Sequence, residues 1–125
     1  MSECRFCDLS GHVDESNTFG TVFAVLDGYP VTPLHYLVIP YRHCTDYFAM
    51  TAEEKWDADA ALVALRDRVL EQDLSISGFN VGWNCGRDAG QTVMHAHGHL
   101  IPRRMGDVEE PRGGVRAVIP DKQRY

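Results

Sequence analysis

The stretch from Gly90 to Arg104 (GQTVMHAHGHLIPRR) contains three of the chain's six histidines. They are His95, His97 and His99, here called the histidine ladder. Side chains two residues apart share one face of a β-strand, whereas the same spacing on a helix turns successive rings by about 200°. The alternation therefore predicts a strand that presents three imidazoles in a row.

Three aligned imidazoles suit two kinds of chemistry. One is a three-histidine metal centre, as in catalytic zinc sites. In the other, one imidazole attacks a phosphorus atom while its neighbours hold the phosphate oxygens. A chance ladder of buried structural histidines is disfavoured because each ring needs partners. The residues before the ladder favour phosphate, since Asn84, Gln91 and Thr92 are neutral donors and the glycines of 86–90 let backbone N–H groups approach an anion.

A second group of candidate ligands lies at the N-terminus, in Cys4-Arg5-Phe6-Cys7. This Cys-x-x-Cys lacks the preceding strand and following helix of a thioredoxin-like redox site. As half of a zinc site it requires two more ligands. The alternative is a reduced pair without metal.

The elements that must position these residues form an α+β fold, an antiparallel sheet of about five strands with one long helix. β-branched and aromatic residues predict strands over 20–27, 34–39, 78–84 and 93–101, and an extended segment over 115–119. The last two strands form a hairpin around the turn 85–90. Thr51 and Glu54 form a capping box, which predicts a helix from there to about residue 73. Its core stripe is expected to comprise Ala58, Leu62, Leu65 and Val69.

The 125 residues predict a single domain over 1–125, with an irregular tail from about 103. The net charge of −6 argues against a general nucleic-acid-binding protein. No apolar run is long enough to cross a membrane, and the polar N-terminus lacks a signal-peptide core, so we expect a cytoplasmic protein. Half of the twelve basic residues nevertheless follow the ladder: Arg103, Arg104, Arg112, Arg116, Lys122 and Arg124.

The stretch NCGRDAGQTVMHAHGHLIPRR resembles the active-site hairpin of the histidine triad (HIT) family of nucleotide hydrolases and transferases. The pattern is His-φ-His-φ-His-φ-φ, where φ is apolar, preceded by an Asn and a Gly-Gln-Ser/Thr turn. Gly98 departs from the apolar φ. The upstream stretch LDGYPVTPLHYLVIPYRH resembles the family's strand-loop-strand, and GDVEEPRGGVRAVIPDKQRY resembles the tail of a prokaryotic branch that carries an N-terminal CxxC and is similar to diadenosine polyphosphate hydrolases.

This resemblance implies a mechanism. His97 would attack the α-phosphorus of a nucleotide, and water would cleave the nucleotidyl-histidine. A histidine's ordinary pKa of about 6.5 leaves much of the imidazole neutral near pH 7. His99, Gln91 and Thr92 would hold phosphate oxygens, and His99 or Gln91 would assist the leaving group. The remaining expected nucleotide-binding residues are Asp27, which would bind the ribose, and His35, Asn84 and Gly90. The base would pack against Phe6, Val25 and Leu26, unless these are simply core residues.

The resemblance also supplies the missing metal ligands. In CxxC-bearing members of the family, two Cys, a loop His and the first ladder His bind zinc. Here these positions are Cys4, Cys7, His43 and His95, which predicts one structural zinc per chain; His12 and Cys44 are substitute ligands. The first rung of the ladder would then bind zinc, and the second and third would bind phosphate.

The expected substrate is a dinucleoside polyphosphate or a similar adenosine or guanosine nucleotide, whose phosphates can carry Mg²⁺. A nucleoside phosphoramidase and a weakly active nucleotide-binding regulator are the alternatives, and a zinc-storage protein is a more distant one. The helix carries a second apolar line, Trp56, Val63 and Leu70, which a two-layer monomer does not require. Because the resembled family pairs through this helix and a sheet edge, we expect a two-fold homodimer, with the tail reaching toward the neighbouring active site.

Overall fold

The computed structural model describes residues 4–125. Its centre is a five-stranded antiparallel sheet in the order β1-β2-β3-β5-β4. The two α-helices within these residues are α1 (Arg5–Leu9) and α2 (Ala52–Gln72), and loops and short 3₁₀ turns connect the helices and strands. The predicted α+β class is confirmed. The strands are β1 (Thr18–Phe19), β2 (Val22–Leu26), β3 (Tyr36–Pro40), β4 (Ile76–Trp83) and β5 (Gly98–Arg104).

Helix α2 begins and ends close to its predicted bounds because its capping signals are local. The Thr51 hydroxyl accepts a hydrogen bond from the Glu54 N–H, and the Glu54 carboxylate accepts one from the Thr51 N–H, at 3.1 and 2.8 Å. This reciprocal box satisfies two donors of the first turn. Of the predicted core stripe, Ala58, Leu65 and Val69 are buried and Leu62 is half-buried.

Both faces of the sheet are covered, by different parts of the chain. Alternate residues of β2 and β3 pack against α2, whereas Phe23, Leu37 and Ile39 face the opposite side. There they pack with Phe6 of α1, which is only 3% exposed. His99 pairs with Leu37 and Gly82 in the register of the sheet. His99 therefore emerges on the face covered by the N-terminal segment.

Two predicted extended segments differ from the structure. The strand predicted over 20–27 is present but shorter, Val22–Leu26, because Gly20 adopts a φ of +62° in the turn between β1 and β2. A side chain at Gly20 would also collide with Asp57, whose carboxylate accepts hydrogen bonds from the Thr21 N–H and hydroxyl at 2.8 and 2.7 Å. The fifth strand is consequently β1. The segment expected to be extended, 115–119, instead falls mostly in a 3₁₀ helix, Gly114–Val118.

The strand predicted over 93–101 begins later and runs further. Pairing starts at Gly98, opposite Val38, so His95 and His97 precede the strand. There the chain runs beside the loop that follows β3, and the Ala96 N–H donates to the Cys44 carbonyl at 2.8 Å. The strand continues through Pro102 because β3 no longer pairs with β5 at that point, so the missing N–H of proline breaks no β3–β5 hydrogen bond.

Gly98, the departure from the apolar pattern, has a packing explanation. A Cβ built at this position would lie 2.6 Å from two ring atoms of Trp83. The Trp83 ring packs against the core between the sheet and α2 and lies 5.1 Å from the Tyr47 ring. The indole thus occupies the volume that an apolar side chain at position 98 would need.

In the described part of the chain, no helix combines the length and apolarity needed to cross a membrane.

Candidate active site and metal cluster

A cleft of about 750 Å³ opens on the face of the sheet covered by α1. Its floor includes strand residues that face away from α2, among them Leu37 and His99. Its rim combines the N-terminal segment, the loop after β2, the turn after β4 and the C-terminal tail. Seven expected substrate-binding or catalytic residues line it: Asp27, His35, Asn84, Gly90, Thr92, His97 and His99. The expected base walls Phe6, Val25 and Leu26 also line it.

The second ladder residue presents one ring nitrogen to the cleft. The His97 Nδ1–H donates to the His95 carbonyl at 2.9 Å. A carbonyl oxygen only accepts, so the ring proton lies on Nδ1 and Nε2 retains a lone pair. The ring packs edge-on against Phe6, at a centroid distance of 4.8 Å. The hydrogen bond therefore fixes the tautomer of His97, with the proton on Nδ1 and a lone pair on Nε2.

The third ladder residue lies in a small polar cluster that lines the cleft. Nδ1 of His99 is 2.9 Å from Nε2 of His35, which lies 3.4 Å from the Asp27 carboxylate. Burial is the main cause that lowers the pKa of His99 to about 4; His97 and His35 lower it too, whereas Asp27 opposes the shift. Burial likewise lowers the pKa of His35. Both rings are therefore neutral near pH 7.

The first ladder residue belongs to a different cluster. Four potential ligand atoms, from Cys4, Cys7, His43 and His95, all lie within 4.8 Å of one another. Nδ1 of His95 is 3.3 Å from Cys4 Sγ and 3.5 Å from Cys7 Sγ, and Nδ1 of His43 is 3.3 Å from Cys7 Sγ. These separations approach the roughly 3.6 Å edge of a tetrahedron with metal bonds of about 2.0–2.3 Å. Two thiols and two imidazoles in this arrangement suit zinc.

The orientation of the His95 ring also fits metal binding. The ring is fully buried, and its Nε2–H donates to the Pro40 carbonyl at 2.8 Å. Nδ1 therefore carries the lone pair that a metal would need. Burial lowers the pKa of His95, which keeps the ring neutral. The predicted substitute ligands His12 and Cys44 lie outside this four-residue group.

Gln91 is placed differently from the expectation. Its side chain is buried and does not line the cleft. Its Oε1 accepts from the Gly86 N–H at 2.8 Å, and its Nε2 donates to the carbonyls of Thr45 and Val93 at 2.6 and 3.0 Å. Both amide hydrogens are thus used within the protein. The Gln91 amide thus joins the turn after β4 to the loop after β3, and the structure does not place it in the cleft lining, where the expected phosphate contact would require it.

The remaining phosphate candidates lie on the turn itself. Gly90 ends a short 3₁₀ turn at a φ of +93°, a left-handed conformation that favours glycine. The Thr92 side chain that follows is exposed and lines the cleft, as do Asn84 and His97. Asp27 also lines the cleft and accepts a hydrogen bond from the Tyr29 N–H at 2.8 Å. The lining therefore includes a hydroxyl, an amide and a carboxylate.

The tail forms a wall of this cleft that sequence reasoning missed. Gly114, Val115, Ala117 and Val118 line the cleft of their own chain, whereas the tail was expected to reach toward a neighbouring subunit. The tail segment has no hydrophobic periodicity that would reveal such packing. Two of its arginines, Arg112 and Arg116, lie over the Tyr125 ring at 4.9 and 5.0 Å.

The two arginines that follow the ladder are committed to acidic partners. Arg103 donates to Asp107 at 2.7 and 2.9 Å, and Arg104 donates to Asp73 at 2.9 and 3.1 Å. Neither side chain lines the cleft. These two arginines therefore anchor the end of β5 through their ion pairs.

Comparison with known proteins places this site in a family. The model of the HIT domain matches residues 17–106. The asymmetrical bis(5′-nucleosyl)-tetraphosphatase of Schizosaccharomyces pombe is 40% identical over 81 residues, which make up 65% of this chain and 44% of that enzyme. The chain thus spans less than half the length of that relative.

Solved structures agree with the family match. A HIT family protein from Bacillus anthracis superposes with a TM-score of 0.76 and 34% identity, over 85% of this chain and 77% of that chain. A zinc-bound histidine triad family protein from Mycobacterium smegmatis has a TM-score of 0.65 and 31% identity, over 86% of this chain and 80% of that chain. With its matching fold, its histidine ladder in an open cleft and the HIT domain spanning most of its length, this chain belongs to the histidine triad family.

Proposed function

We propose that the protein hydrolyses a dinucleoside polyphosphate, or another nucleotide substituted at the α-phosphate, through a nucleotidyl group carried on His97. The observation that carries this proposal is the His97 ring, whose Nδ1 is bonded to the His95 carbonyl while Nε2 is left for the cleft. The name of the Schizosaccharomyces pombe relative supports the substrate class.

The reaction would take two steps. First, Nε2 of His97 bonds to the α-phosphorus as the bond from phosphorus to the bridging oxygen breaks, and the leaving group departs with that electron pair. Second, a water oxygen bonds to the phosphorus, the phosphorus–nitrogen bond breaks, and its electron pair returns to Nε2. The water proton leaves to solvent, and the product is a nucleoside monophosphate.

The other cleft residues have roles that follow from their positions. Asn84, Thr92 and the backbone at Gly90 would contact phosphate oxygens, since they line the same cleft as His97 and offer neutral donors. Asp27, which also lines the cleft, would accept hydrogen bonds from the ribose hydroxyls. Removing one donor to the reacting phosphate typically raises the barrier by roughly 3–4 kcal/mol.

A substrate panel in oxygen-18-enriched water tests the proposal. The panel contains diadenosine tetraphosphate, diguanosine tetraphosphate and adenosine phosphoramidate, each with and without Mg²⁺. We expect the label to appear in the nucleoside monophosphate, because water attacks the α-phosphorus. Faster turnover of the phosphoramidate would assign a phosphoramidase. Absence of turnover on all three, or label confined to the other product, would contradict the proposal.

We also propose that Cys4, Cys7, His43 and His95 hold one zinc ion per chain. When bound, zinc would tie the N-terminal segment to the residue that precedes the nucleophile by two positions. Thiolate ligands must remain reduced, which agrees with the expected cytoplasmic location. The zinc-bound Mycobacterium smegmatis neighbour supports the choice of metal.

The homodimer is the third part of the proposal. Trp56 and Val63, two turns apart on α2, are 79% and 51% exposed, so the helix presents an apolar face. Leu70, expected on the same line, is instead half-buried and packs against the core.

Val63→Glu is expected to convert dimers into monomers by placing a carboxylate in the interface. Light scattering would show this, with Leu74→Glu as a control at an exposed apolar position outside the helix. A wild-type mass of one chain at micromolar concentration would overturn the dimer.

A further inference from the structure

His99 differs from the other two ladder residues in what holds its ring. His95 and His97 each donate a ring N–H to a backbone carbonyl, that of Pro40 and of His95, and a carbonyl determines where the proton lies. Nδ1 of His99 instead faces another imidazole, Nε2 of His35 at 2.9 Å. One of these two nitrogens must donate and the other accept. The contact between the two rings does not by itself decide which.

The backbone N–H of Val31 decides it. This amide donates to Nδ1 of His35 at 3.0 Å, and an amide N–H cannot accept. Nδ1 of His35 therefore has no proton, and the single proton of the neutral ring lies on Nε2. The Asp27 carboxylate, 3.4 Å from the same Nε2, favours a proton there as well. His35 is almost completely buried, so exchange of its proton with water is hindered.

The direction of each hydrogen bond in this series follows from the one before it. The His35 Nε2–H donates to Nδ1 of His99, which leaves the proton of His99 on its own Nε2. Nε2 of His99 has no hydrogen-bond partner among residues 4–125, and the ring lines the cleft. We propose that the Val31 amide and the His35 ring form a positioning relay that fixes His99 as an Nε2–H donor toward a phosphate in the cleft. The catalytic role of the relay rests on the proposed function, whereas the tautomer of His99 rests only on the hydrogen bonds described above.

The relay gives neighbouring rings opposite properties. The centroids of His97 and His99 are 5.4 Å apart. His97 presents a lone pair, which can attack phosphorus, and His99 presents an N–H, which can donate to an anionic oxygen of the same phosphate. With the reverse tautomer, His99 would direct a second lone pair at that oxygen and repel it. His35, expected to bind nucleotide, is thereby reassigned, since both of its ring nitrogens already have protein partners.

A bound cation is the competing interpretation of this cluster. Asp27, His35 and His99 offer three ligand atoms within 4.8 Å of one another. A metal on Nε2 of His35 would require its proton to move to Nδ1, where the Val31 N–H already points at 3.0 Å. Two N–H groups would then face each other. The backbone geometry therefore favours the hydrogen-bonded relay.

The test is a long-range proton–nitrogen correlation spectrum of the full chain with ¹⁵N-labelled histidine, which separates protonated ring nitrogens from those with a lone pair. Near pH 7 we expect His99 to carry its proton on Nε2 and His35 on Nε2. The His99 signals are assigned by their loss in His99→Gln. A wild-type His99 with its proton on Nδ1, or a spectrum that shifts as for metal binding when zinc beyond one equivalent is added, would overturn the relay.

Variants then link the tautomer to turnover. His35→Leu removes the donor, so His99 should populate both tautomers and kcat should fall about tenfold or more with little change in KM. His35→Gln keeps an N–H donor near the Nε2 position and should retain the tautomer and most of kcat. If His35→Leu does not fold, Val31→Pro removes the amide while Val31→Ala keeps it, and only the former should mix the His99 tautomers. An unchanged tautomer in both donor-removing variants would contradict the proposal. Failure of the substrate panel together with the expected spectra would reject the proposed function and leave the relay intact.

Discussion

Replacement of His97 by alanine is expected to reduce turnover of a dinucleoside polyphosphate by about 10⁴-fold or more, while nucleotide binding stays measurable. In the proposed reaction the first bond to phosphorus is made by Nε2 of this residue, so the variant would have no covalent route. The nucleophile contributes little to ground-state affinity, which here is expected to come from the apolar walls and the other polar residues of the cleft. Turnover is measured by release of nucleoside monophosphate, and binding by titration with a nucleotide product.

Two controls make this result specific. His12→Ala removes an exposed histidine that lies outside the cleft and should leave turnover unchanged. His97→Gly with added imidazole should recover part of the turnover, because the space beside Phe6 that the ring occupied is then open to a free imidazole. Near-normal turnover by His97→Ala would show that the reaction proceeds without a nucleotidyl-histidine.

The parts of the fold that could be predicted depend on signals close together in the sequence. The capping box of α2 lies within four residues, and the buried residues of the helix repeat with the helical period. The ends of α2 and its buried face could therefore be predicted from the sequence. The start of β5 was not, because it is set by where β3 stops pairing, at Val38 and Gly98. The alternation of histidines nevertheless predicted which side chains lie together, since His97 and His99 do reach one cleft.

Residue type alone could not reveal the direction of a side chain after a turn. Gln91 follows Gly90, whose φ of +93° reverses the chain and turns the amide into the protein rather than the cleft. The tautomer of His99 was inaccessible for a similar reason, since it depends on the backbone N–H of Val31, which any residue except proline would provide. Sequence reasoning thus predicted several side chains that line the cleft, but not the backbone groups that orient them.

Loss of the metal cluster is expected to have the second largest effect, on stability more than on chemistry. Cys4→Ser combined with Cys7→Ser should abolish zinc binding and lower the midpoint of thermal unfolding by about 10 °C or more, at roughly 4 °C per kcal/mol for a domain of this size. The reason is structural. Phe6, between the two cysteines, covers the second face of the sheet, and without the metal its segment would lose its link to His43 and His95.

Turnover per folded molecule should fall less in this variant than in His97→Ala. The His95 Nε2–H still donates to the Pro40 carbonyl, and the His95 carbonyl still accepts from His97, so the nucleophile keeps its tautomer. Elemental analysis of protein folded with zinc should give about one zinc per chain in the wild type, in Cys85→Ser and in Cys44→Ser, and none in the double variant. Several zinc ions per chain that leave without lowering stability would instead indicate a storage protein. Zinc retained by the double variant would show that other residues bind it, and a wild type without zinc would exclude the site. Either result would contradict a zinc site formed by Cys4, Cys7, His43 and His95.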